Sequence, residues 1–141
     1  MAPPPSAGTP RVALHLEPTR RFLRLQYRGA VVPDDVAALI PRIEEAVSQF
    51  GAGFVLITDF TELEQMDLEC VGPITRLMDC CLAAGIGKAI RIIPDPGKDI
   101  GMNLLSLVHY RGKVLTVTCE TREEAERELA ASATPWLGGI T

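Results

Sequence analysis

Histidine is nearly absent from this chain, with two copies in 141 residues, and the four cysteines, Cys70, Cys80, Cys81 and Cys119, form no CxxC pair. Zinc centres need such pairs at fixed spacing, so neither a metal nor any other cofactor is expected. Cys80 and Cys81 are neighbours in a helical pattern, which points their thiols in different directions; reduced cysteines are the expectation. Aromatic residues make up only 5% of the chain, and the formal net charge is −4. Without stacking platforms or an excess of cations, nucleic acid and anionic membrane surfaces are not expected partners. The local stripe Arg20, Arg21, Arg24 and Arg28 reads as the wet face of a strand. No apolar run approaches the ~20 residues that cross a bilayer, and the Pro-rich start lacks the regions of a secretory signal, so a cytoplasmic location is expected. Neither glycine cluster makes a phosphate cradle, because Gly51-Ala52-Gly53 precedes an apolar run and Gly85-Ile86-Gly87 follows a helical one.

What the chain does contain is alternation of strand and helix patterns. Its length suits one domain with a single sizeable core, expected over residues 11–131, between flexible tails at 1–10 and 132–141 that are rich in small residues and proline. Val12, Leu14 and Leu16, then Leu23, Leu25 and Tyr27, alternate with polar residues and predict a hairpin with one wet face. Pro33-Asp34-Asp35 is a helix start, and the apolar residues from Val36 to Phe50 recur at helical spacing, with Pro41 forcing a kink or a restart. The run Phe54-Val55-Leu56-Ile57-Thr58 reads as a strand buried on both faces of a parallel sheet. Residues 59–67 are expected to form a loop, and Val71, Ile74, Leu77, Met78 and Cys81 the buried stripe of a helix ended by Gly85. A short strand at 88–93, a short helix over 100–108, a strand at 114–119 and a last helix capped by Thr121 and Glu124 complete the order. The expected fold class is α/β: a mainly parallel sheet of four to five strands with an antiparallel edge hairpin and about four helices.

Asp59-Phe60-Thr61, followed at the right distance by Met66-Asp67 at a helix start, resembles the STAS domain, the module named for sulfate transporters and anti-anti-sigma factors. The element order from Val12 onward is similar to that family's as well. The family pattern is Asp-hydrophobic-Ser, then hydrophobic-Asp-Ser-Ser/Thr-Gly. Leu68 stands where the family's phosphorylated serine is expected. A hydrocarbon side chain cannot be phosphorylated, so the usual kinase and phosphatase switch is excluded at that position.

The resemblance implies a non-catalytic regulatory module that docks on a protein through residues 59–71 and the exposed side of the following helix. The expected partner-binding residues are Asp59, Thr61, Asp67, Leu68, Glu69 and Arg76. The partner implied is an anti-sigma or kinase-like regulator, or a neighbouring signalling protein, and a homodimer is compatible with the same module. Thr61 is the remaining hydroxyl that could take a phosphate, though threonine in a loop ordinarily bonds its own backbone. Glu69 sets a fixed negative charge one residue past the lost serine, in partial imitation of a modified state. Asp59 and Asp67 are candidates for an acid and base pair, but no histidine, lysine or serine nucleophile is near them in sequence, and a loop terminus with a helix cap is the plainer account. No enzymatic activity is expected. His15 and His109 are assigned structural positions, on an outer strand and near a helix end. The alternative to docking is a carrier of a small lipid or nucleotide, with the apolar helix over 100–108 lining its pocket.

Overall fold

A computed structural model of the chain describes residues 11–93 and 114–133. The opening alternation forms the expected hairpin, β1 (Val12–Glu17) and β2 (Phe22–Val31), paired antiparallel. Three parallel strands follow, β3 (Val55–Met66), β4 (Lys88–Ile92) and β5 (Leu115–Cys119), and the sheet order is β1-β2-β3-β4-β5. The helices are α1 (Pro33–Ala37), α2 (Ile40–Phe50), α3 (Val71–Ala83) and α4 (Arg122–Ala133). Pro41 produces a restart rather than a kink: α1 stops at Ala37 and α2 begins one residue before the proline, where its missing N–H costs no helical bond. The α/β class and the antiparallel edge are as the sequence predicts. The helix expected over 100–108, with His109 beside it, lies outside the described residues, as do 1–10 and 134–141; α4 itself continues to Ala133, past the expected boundary at 131.

Each central strand buries both faces. On one side Leu23, Leu25, Tyr27, Leu56 and Phe60 meet Val36, Ile43, Ile74, Leu77 and Cys81 from α1, α2 and α3. On the other, Phe22, Val55, Ile57, Ile90 and Ile92 meet Ala125 and Leu129 of α4. Burial pushes the Cys81 thiol up to about 12 and the Cys70 thiol upward, which makes them poor nucleophiles and agrees with small core residues. Lys88 ties α4 to β4, its Nζ 2.9 Å from Glu128 Oε1 and 3.2 Å from Glu128 O.

The two glycine clusters meet at the amino end of β3 and β4. Gly53 N donates to Gly85 O at 2.7 Å and Gly87 N to Phe54 O at 2.8 Å. A Cβ on Gly87 would stand 2.9 Å from Gly53 O, and Gly85 combines φ +89 with a Cβ position 2.8 Å from Ala52 Cβ. Only glycine fits either place. Arg21, at φ 56 in the hairpin turn, closes the same end by donating through Nε to Phe50 O at 3.1 Å and through Nη2 to Ala52 O.

Candidate functional site

The segment expected to be a loop, 59–67, is strand as far as Met66. β3 pairs with β4 only as far as Asp59, yet continues beside β2 from Glu62 to Met66. Two register shifts against β2, between Gln26 and Arg28 and between Gly29 and Ala30, each leave an extra residue on β3. These are β-bulges, and Gly29 at φ +59 takes up one of the turns in the partner strand. The first bulge explains why Phe60 and Leu63, three apart, both face the α1–α3 core. Pairing with β2 overrides the weak strand preference of Glu62, Glu64 and Gln65.

The change from loop to strand divides the expected site residues between two faces. Asp59 shares its face with Ile57 and is 1% exposed, so its carboxylate is not on a surface loop. Oδ1 accepts from Thr61 N at 2.9 Å, and Oδ2 accepts from Arg122 Nε at 2.8 Å. Arg122, the first residue of α4, also donates through Nη2 to Thr61 Oγ1 at 2.6 Å and to Glu62 Oε2 at 3.0 Å. Glu62 accepts from Gln26 Nε2 at 2.8 Å and lies 3.8 Å from Arg28 Nε. The hydrogen bonds to Asp59, then to Glu62, push the Arg122 guanidinium further up from its ordinary value. This cluster is a clasp between α4 and the sheet. Arg122 is the member that sequence reasoning missed: it stands 63 residues from Asp59, and its only local signal is the Thr121-to-Glu124 cap that begins its helix.

The other four candidates, Asp67, Leu68, Glu69 and Arg76, are all exposed and lie beyond the end of β3. Asp67 N donates to Val31 O at 3.1 Å, which anchors the strand end to β2. Its Oδ1 accepts from Glu69 N at 2.9 Å, capping a 3-10 turn, Leu68–Cys70, that runs directly into α3. Cys70 is buried beneath this turn, and its neighbour Leu68 is thereby turned outward, 68% exposed. Val71, the first residue of α3, is the next exposed apolar residue along the chain, whereas the exposed Val32, at the entry to α1, lies on a separate groove with Arg11, Asp34 and Leu39. Along α3, Gly72, Arg76 and Asp79 continue the exposed side. The result is a small apolar patch bordered by Asp67, Glu69 and Arg76.

Asp59 and Asp67 do not meet as an acid and base pair. The two are separated by roughly 20–25 Å of strand, and both oxygens of Asp59 are occupied. Among the described residues no group of three or more histidine, cysteine or acidic residues could hold a metal ion, and no helix is long and apolar enough to cross a membrane.

The class these elements define is an α/β domain with a SpoIIAA-like fold. No protein-family model and no curated protein sequence matches the chain. Among solved structures, it is similar to an uncharacterised protein of the DUF3478 family from Shewanella loihica with a SpoIIAA-like fold, at 16% identity and TM-score 0.65, over 84% of this chain and 93% of that one. It is also similar to the anti-sigma factor antagonist SpoIIAA in its unphosphorylated form, at 21% identity and TM-score 0.59, over 84% of this chain and 97% of the other. The phosphorylated form of the Bacillus cell fate determinant SpoIIAA aligns at 22% identity and TM-score 0.58, over 84% and 98%. At these identities the likeness is one of fold.

Proposed function

We propose that the chain is a regulatory module that binds a protein partner through residues 67–71 and the exposed side of α3, without a phosphorylation switch at this surface. The observation that carries the reading is Leu68: a large apolar side chain 68% exposed on a capped turn at the carboxyl end of a parallel strand. Ligands and partners gather at such strand ends, and exposed apolar patches mark interaction sites. The fold it shares with an anti-sigma factor antagonist supports an anti-sigma regulator as the class of partner. Asp67 acts by capping the turn, Glu69 and Arg76 supply the polar rim, and Leu68 with Val71 supplies the contact that water leaves. Asp59 and Thr61 serve this surface indirectly, by fixing the strand that carries it. No reaction is assigned, and a cytoplasmic location accompanies the role.

Isothermal titration against the kinase-like anti-sigma proteins encoded in the same genome tests the proposal. One of them should bind, and Leu68→Arg should weaken that binding at least about tenfold while leaving thermal unfolding unchanged, as expected for a central interface anchor. Equal affinity of the variant would place the interface elsewhere. Incubation with ATP and the bound kinase should add no phosphate, and a phosphate found on Thr61 would restore a switch that this reading excludes.

A further inference from the structure

Strand β1 is an edge strand, with β2 as its one strand neighbour among the described residues. Its pairing with β2 is regular over all six residues, without a bulge, and it contains neither proline nor lysine. Those are the usual means of blunting an edge against a second strand. Arg28 N donates to Arg11 O at 2.8 Å, so the odd-numbered residues of β1 bond inward to β2. By the antiparallel alternation, Val12, Leu14 and Leu16 turn their N–H and C=O groups outward.

We propose that this edge pairs antiparallel with β1 of a second copy, about a two-fold axis at Leu14. That register matches backbone and side chains together. Leu14 faces Leu14 of the second copy and Val12 faces its Leu16, each an outward-bonding residue opposite another. Leu16, 39% exposed in one copy, is thereby covered on the α1–α3 side of the sheet. On the other side Arg11 faces Glu17 of the second copy and His15 faces its Ala13, so opposite charges meet and no like charges do. Arg11 Nη1 donates to Ala30 O of β2 in the single copy, a bond the guanidinium exchanges for Glu17 of the second copy on pairing. A shift by two residues in either direction keeps the backbone parity but shortens the overlap and separates Arg11 from Glu17. The opposite edge strand, β5, carries no charged residue with which to set a register.

Sedimentation velocity on the full chain from about 1 µM to about 1 mM should show a concentration-dependent dimer. Leu14→Pro, which removes an outward N–H and none bonded to β2, should leave a monomer. Arg11→Glu and Glu17→Arg should each weaken association about tenfold, and the double exchange should restore it. The exchange pair decides the matter even if the proline variant fails to fold. A monomer at every concentration, or a dimer that the double exchange does not restore, overturns the proposal. Amide exchange at Val12, Leu14 and Leu16 should be slow in concentrated samples and fast in dilute ones. Equal protection at all concentrations also overturns it, because residues 1–10 of the same chain would then hold the edge.

Discussion

At the amino end of β3 backbone closes on backbone: Gly53, Gly85 and Gly87 approach within side-chain distance, and the Arg21 guanidinium gathers the carbonyls of Phe50 and Ala52. At the carboxyl end the strand outruns its β4 neighbour, is bent by two bulges, and finishes in a capped turn with Leu68 and Val71 in water. The first end has no room for a side chain, and the second displays side chains that nothing in the fold uses. The difference separates what holds this protein together from what it can offer a partner. A substitution at the amino end should act on folding, and one at the carboxyl end on binding.

The strongest break in that contrast is Gly87→Val, which drives a branched side chain against Gly53 O and should cost about 3 kcal/mol or more in denaturant unfolding. Retained stability would mean that the two glycine turns do not meet. Next comes Arg122→Ala, which leaves the buried Asp59 carboxylate without its cation. Because the Arg122 side chain is 46% exposed and water can partly replace it, the expected loss is about 2 kcal/mol. A loss as large as that of Gly87→Val would put the clasp on the folding side of the comparison. Asp67→Ala, which deletes the cap of the 3-10 turn, should cost about 1 kcal/mol and also weaken partner binding, so it sits between the two behaviours. Leu68→Ser is the smallest for stability, within about 0.5 kcal/mol, and should be readable only as lost affinity. A thermal midpoint that falls as far as for Asp67→Ala would show that Leu68 packs in the fold rather than waiting on its surface.

Much of this arrangement is legible in the residues alone. Alternation located β1 and β2, an unbroken apolar run marked the doubly buried start of β3, and the stripe from Val71 to Cys81 announced α3. Thr121 caps its helix as predicted, with Glu124 N donating to Thr121 Oγ1 at 3.1 Å, whereas Glu124 Oε1 accepts from Glu120 N at 3.1 Å, one residue before the cap, rather than from the Thr121 N–H of a full capping box. The second half of β3 was not legible. Glu62, Glu64 and Gln65 are poor strand formers, and each bulge resets the period of two, so the alternation that would expose a strand is interrupted twice. The division of the candidate residues follows from the same segment. Read as loop, Asp59 and Asp67 belong to one rim; read as strand, they face different partners, and Arg122 enters from a helix that no local pattern connects to them.

The outward hydrocarbon at Leu68 fixes the thermodynamics of whatever settles there. A contact made by shedding water from Leu68 and Val71 carries a negative heat-capacity change and hardly responds to ionic strength. Salt would then reach this encounter only through the charges that rim it, Asp67, Glu69 and Arg76, and through the speed of approach rather than the lifetime of the complex.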